Sequence, residues 1–190
     1  MDRRSADGLV FGVEVSTFYA PLFRAEDIHG DPFELETARR KGPVVLVFCR
    51  YPGSAHTRRI GADLVKKLDR LRSMGATVAL ITEGSAEKAR RWSASLPGTV
   101  ILLPDDGDLY RVYNVGQDPL LGRTLIKSWR RLPGYVATLS YGHGRPGPLT
   151  RVPAVFVVAP DRRISWSWQG KTALDRPDFD AVCSAVSATK

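Results

Sequence analysis

Residues Val44–Cys49 form an unbroken apolar run, Val-Val-Leu-Val-Phe-Cys, which Pro52-Gly53 interrupts shortly afterwards. A run this short and this rich in β-branched residues reads as a strand buried on both faces. Such a strand needs helices on both sides of its sheet, and a parallel neighbour is reached only through a crossover connection. The next residues supply one. Ser54 carries the side chain of a helix N-cap, and Ile60, Leu64, Val65, Leu68 and Leu71 recur at helical spacing. This pattern predicts an amphipathic helix over 55–73, closed by Gly75.

The alternation continues. Ala76–Thr82 reads as a second buried strand, Ser85–Ser95 as a helix closed by Pro97-Gly98, and Thr99–Leu103 as a third strand. Pro104-Asp105-Asp106-Gly107 opens a short helix through Tyr113, and a further helix is expected within Pro119–Leu132. Ser140–Pro148, dense in glycine and proline towards its end, reads as a loop. Ala154–Val158 and Ile164–Trp168 are strands joined by a hairpin turn at Asp161-Arg162-Arg163, and Asp178–Ala188 is a closing helix. Upstream, residues 1–17 read as an irregular lead-in with a short strand at Leu9–Val15. Gly30-Asp31-Pro32 is a turn, followed by a short extended piece, Phe33-Glu34-Leu35. The fold class is therefore α/β: a central mixed sheet flanked by helices, as one domain over residues 18–190.

A chain of 190 residues is ample for a single core. No apolar run reaches the roughly 20 residues of a membrane-spanning helix. Met1–Ser5 has no hydrophobic signal core behind it, so a cytoplasmic location is expected and no membrane partner. The net charge is +8, but the basic residues fall as scattered pairs such as Arg39-Arg40, Lys66-Lys67 and Arg130-Arg131. Without a basic stripe interleaved with aromatics, no nucleic-acid partner is expected. Cys49 and Cys183, the only cysteines, make no disulfide scaffold. His29, His56 and His143 lack the paired spacings of a metal site, and no glycine-rich phosphate loop is present, so neither metal nor cofactor is expected.

Several segments, in this order, resemble the alkyl hydroperoxide reductase/thiol-specific antioxidant family, the peroxiredoxin-like branch of the thioredoxin superfamily. They are Ala20-Pro21-Leu22-Phe23 with Asp27-Ile28-His29-Gly30, Lys41–Phe48, Leu103-Pro104-Asp105-Asp106 with Tyr110–Gly116, and Arg151–Val158. The resemblance covers about residues 18–188. It implies a thioredoxin-like fold with an N-terminal extension and an insertion before the final β-hairpin. It also implies that Pro153 follows a cis peptide bond facing the site, where the main chain at Val152-Pro153 would bind an extended substrate.

The departure lies at the chemistry. The family's C-P-x-C pattern puts cysteines where this chain has Ser54 and Thr57. Aligned on the pattern P-x-x-x-T-x-x-C from Pro52, the cysteine falls on Arg59. A helix N-terminus lowers the pKa of a thiol, but a serine hydroxyl stays far from ionisation.

Three readings follow. In the first, the protein has lost dithiol chemistry and uses the cleft at residues 50–59 to bind, or convert without redox chemistry, a small anionic molecule. His56 would move protons, Ser54 and Thr57 would donate hydrogen bonds, and Arg50, Tyr51, Arg58 and Arg59 would hold the ligand, with Val152, Pro153 and a loop histidine, His143, around it. Against these roles stand an N-cap role for Ser54, solvent exposure of His56, pairing of Arg58 and Arg59 with acids such as Asp63, and an ordinary loop around His143. The second reading is an antioxidant thiol peroxidase using Cys49, which requires an accessible thiol with a depressed pKa. The alternative for Cys49, as for Cys183, is core packing. The third is a non-catalytic interaction protein, for which a homodimer is one form.

Overall fold

The strand at the centre owes its continuous apolar sequence to helices packed on both of its sides. Val45, Val47 and Cys49 enter one buried cluster, and Val44, Leu46 and Phe48 enter another on the opposite face of the sheet. The computed structural model describes residues 19–52, 54–94, 96–97, 100–118 and 150–189. Within them the chain runs β1 (Arg24–Glu26), β2 (Pro32–Glu34), α1 (Leu35–Lys41), β3 (Val44–Cys49), α2 (Ala55–Ser73), β4 (Thr77–Glu83), α3 (Ala86–Ser93), β5 (Ile101–Asp105), α4 (Asp108–Val112), β6 (Ala154–Val158), β7 (Ile164–Gln169) and α5 (Phe179–Ser187).

The main sheet has the order β5-β4-β3-β6-β7. β3 is parallel to β4 and β4 to β5, whereas β6 is antiparallel to both β3 and β7. The mixed thioredoxin-like sheet expected from sequence is thus the one observed. α2, α3 and α5 cover one face, contributing Ile60, Leu64, Leu68, Trp92, Val182 and Cys183 to its core. α1, α4 and the segment around Phe33 cover the other, where Phe48, Tyr110, Tyr113 and Phe156 stack edge-on or tilted. Trp166 and Trp168 point to the α5 side and pack against its core, as their alternation implies.

Element boundaries follow local chemistry. Gly75, at φ +79°, lets the chain leave α2 in the left-handed region. Gly61 lets α3 approach α2: a Cβ there would lie 2.9 Å from the Trp92 ring. β5 begins two residues later than expected and runs through Pro104. The missing N–H is tolerated because, among the described residues, β5 is the edge strand of the sheet, with β4 as its strand partner.

Leu35, expected to end an extended piece, instead opens α1. Only Leu35 and Ala38 are buried there, too few for a readable period, and Glu36 ties the helix by pairing with Arg39 and Arg40. The expected strand at Leu9–Val15, helix within Pro119–Leu132 and loop at Ser140–Pro148 lie outside the described residues. No helix among the described residues is long and apolar enough to cross a membrane.

Candidate functional site

β3 ends at Cys49, and the chain turns through Arg50–Pro52 to deliver Ser54 at the start of α2. Ser54 is extended (φ −68°, ψ 133°), and its buried Oγ accepts the Thr57 backbone N–H at 3.2 Å. Arg50 reaches the same atom, Nη2 donating to Ser54 Oγ at 3.3 Å. Ser54 is therefore the N-cap of a 19-residue helix with a guanidinium beside it. No base is bonded to its hydroxyl among the described residues, as a serine nucleophile would require.

His56 sits in the first turn, half-buried. Its Nε2 lies 2.9 Å from the main-chain carbonyl of Asp175. A carbonyl oxygen only accepts, so Nε2 carries the proton and Nδ1 is the basic nitrogen of the neutral ring. Burial holds the His56 pKa below its ordinary value, and the charges of Arg50, Arg176 and Arg59 push the same way, against the Asp175 carbonyl. The ring is thus biased towards the neutral form, which can take up a proton.

Arg58 and Arg59 are exposed on the outer side of the same turn. Asp63, their expected partner, is bonded to Lys66 at 2.9 Å and Arg176 at 3.1 Å. Neither Arg58 nor Arg59 has an ion-pair partner among the described residues. Tyr51 is half-buried beside Arg50. His143 lies outside the described residues.

Two expectations are corrected at Cys49. The thiol is fully buried, and burial raises its pKa, outweighing the opposing charge of Arg50. The reason is register: Cys49 pairs with Thr82 in the sheet and turns its side chain into the core beneath α2. The accessible, acidic thiol that the peroxidase reading needs is absent at this position. Cys183 is buried in the same core. Thr57, expected as a ligand donor, is also fully buried, and its Oγ1 has no hydrogen-bond partner among the described residues.

The proline expectation is corrected too. No peptide bond among the described residues is cis, so Val152–Pro153 is trans, the form that X-Pro bonds favour. Val152 and Pro153 are buried, and their main chain is already used. Val152 N donates to Gly116 O at 3.2 Å, and Pro153 O accepts from Gly170 N at 2.8 Å. These two groups are not free to receive an extended substrate.

Sequence reasoning missed four residues at this end of the sheet. Asp175 supplies the carbonyl for His56. Asp118, buried, accepts from Ala173 N at 3.1 Å. Glu83 and Arg151 form a buried ion pair behind them. No motif marks any of these, because each acts through a contact 55 or more positions away in sequence. No group of three or more His, Cys, Asp or Glu among the described residues is placed to hold a metal ion.

The fold is that of a peroxiredoxin-like protein of the thioredoxin superfamily. The chain belongs to the AhpC/TSA family, whose model matches residues 19–167. Among solved structures it is similar to the peroxidoxin BcpB of Mycobacterium tuberculosis, with TM-score 0.67, 15% identity, and coverage of 92% of this chain and 97% of that one. The bacterioferritin comigratory protein of Xanthomonas campestris gives TM-score 0.61 at 17% identity, covering 87% and 90%. A thioredoxin-family thiol:disulfide interchange protein of Chlorobium tepidum gives 0.60 at 15% identity, covering 91% and 96%. At these identities the likeness is one of fold. Among curated proteins, none matches the sequence of this chain.

Proposed function

We propose that this protein is a redox-inactive member of its family that uses the start of α2 to bind a small anion, or to convert it without electron transfer. The observation that carries this reading is the state of Arg58 and Arg59. Asp63 is engaged by Lys66 and Arg176, leaving two exposed guanidinium groups without an ion-pair partner among the described residues, one turn into a long helix. A helix N-terminus attracts negative charge, and arginine adds paired donors for a carboxylate or phosphate. Arg50, docked on the Ser54 cap, adds positive charge at the same end. His56 supplies the basic nitrogen if the bound molecule undergoes proton transfer. The replacement of both cysteine positions by Ser54 and Thr57, with Cys49 sealed in the core, supports the loss of thiol chemistry.

Inorganic phosphate is the probe. Titrated into ¹⁵N-labelled protein at low salt, it is expected to shift the backbone amides of residues 54–59 saturably, and Arg58→Ala with Arg59→Ala is expected to weaken this at least tenfold. Absence of a saturable shift, or an equal one in the double variant, would overturn the reading.

A further inference from the structure

We infer that Asp118 is a positioning residue: its carboxylate anchors the Thr172–Asp175 turn, so that the Asp175 carbonyl holds His56 as the Nε2–H tautomer with Nδ1 as its basic nitrogen. The significance of that tautomer rests on the proton-transfer role given to His56 above; the tautomer itself is a separate observable.

The chain of contacts is short. Asp118 is 6% exposed, and its backbone is held: its N–H donates to Thr150 O at 2.6 Å, and the neighbouring Gln117 bridges Arg151. Its Oδ2 accepts from Ala173 N at 3.1 Å. Ala173 is fully buried, where an N–H without an acceptor is strongly disfavoured. The turn around Ala173 closes on itself. The Asp175 carboxylate accepts from Lys171 N at 2.7 Å, Thr172 N at 2.9 Å and Thr172 Oγ1 at 2.8 Å. A turn cross-linked in this way moves as a unit, so fixing Ala173 fixes the Asp175 carbonyl.

Among the described residues, two other polar contacts tie the ends of the turn to the fold. Gly170 N donates to Pro153 O at its beginning, and Arg176 pairs with Asp63 at its end. The first lies five residues from Asp175. The second is half-exposed, and exposed pairs hold little. Asp118 is thus the buried anchor at the middle of the turn.

The test reads the ring nitrogens of His56 by two-bond ¹H–¹⁵N correlation at a pH where the ring is neutral. Wild type is expected to show protonated Nε2 and unprotonated Nδ1, with a slowly exchanging Ala173 amide. Asp118→Ala is expected to move both ring shifts towards the averaged tautomers of a free imidazole and to speed exchange at Ala173. Asp118→Asn keeps an acceptor oxygen and is expected to restore the wild-type pattern. Tyr113→Phe, which removes a hydrogen bond to Pro21 O on the other face, controls for general loosening and is expected to leave the ring unchanged. An Nδ1–H ring in wild type would overturn the proposal. So would unchanged ring shifts in folded Asp118→Ala, loss of the tautomer in folded Asp118→Asn, or an equal change in Tyr113→Phe. If Asp118→Ala does not fold, the wild-type and Asp118→Asn spectra decide. Phosphate added to the wild-type sample separates the two ideas: no shift at residues 54–59 with the tautomer as stated sinks the anion reading alone.

Discussion

Arg151 donates from Nε to the Glu83 carboxylate at 3.0 Å, with the two side chains only 12 and 11% exposed. The pair joins the end of β4 to the residues leading into β6. Arg151 also donates to Val115 O at 3.2 Å and lies over the Tyr110 ring, 5.1 Å from its centroid. Gly107 makes room, since a Cβ there would stand 3.4 Å from both Arg151 Nη2 and Glu83 Oε1.

Removing one partner of this pair strands a buried charge. Arg151→Ala is expected to cost about 3–5 kcal/mol at pH 7, read from urea denaturation. Glu83→Gln with Arg151→Met should recover part of that loss, and additive losses would show that the pair is not coupled. Burial, joined by the charges of Asp105 and Asp106, raises the Glu83 pKa above 4.5 against the opposing pull of Arg151. The stability linked to this group is therefore present below pH 4.5 and lost as pH rises through the raised value. Glu83→Gln should flatten stability against pH over that window.

The His56 pKa is depressed, so its sign is opposite. The unfolded chain takes up the proton first as pH falls, and stability drops from about pH 6.5 downwards through the lowered value. An NMR titration of the ring should give a midpoint below 6.5. Arg176→Ala removes one repelling charge and should move the midpoint up; a downward move would refute the assigned cause.

Intact mass after graded hydrogen peroxide tests the thiols. Buried Cys49 and Cys183 are expected to gain no oxygen in the folded protein and to react with a thiol reagent only after denaturation. Rapid, Cys49-dependent gain of one oxygen at low peroxide would restore the antioxidant reading.

Ser54 and Thr57 should respond in opposite directions. Ser54→Ala removes the cap and is expected to cost about 1 kcal/mol. Thr57→Val replaces a buried hydroxyl that has no partner among the described residues, and should be neutral or stabilising by up to about 1 kcal/mol. A loss of more than that would mean the Thr57 hydroxyl is bonded.

Residue pattern alone determined the sheet and its helices where local signals were strong. Val44–Cys49 was legible because burial on both faces leaves no polar position, and α2 because its apolar residues repeat along one stripe under a serine cap. α1 was not legible, since two buried residues make no period. At the site, Ser54 as a cap and His56 and the arginines at the start of α2 follow from sequence order, because they lie within one loop and one helical turn. Only tertiary structure decided the rest. Strand register turned the Cys49 thiol into the core, and packing of the β7–α5 connection brought the Asp175 carbonyl to His56. Glu83 and Arg151, like Asp118 and Ala173, meet across long stretches of chain that no local pattern records. Hydrophobic period reports which face a residue takes. It does not report which polar group, far along the chain, will be buried opposite it.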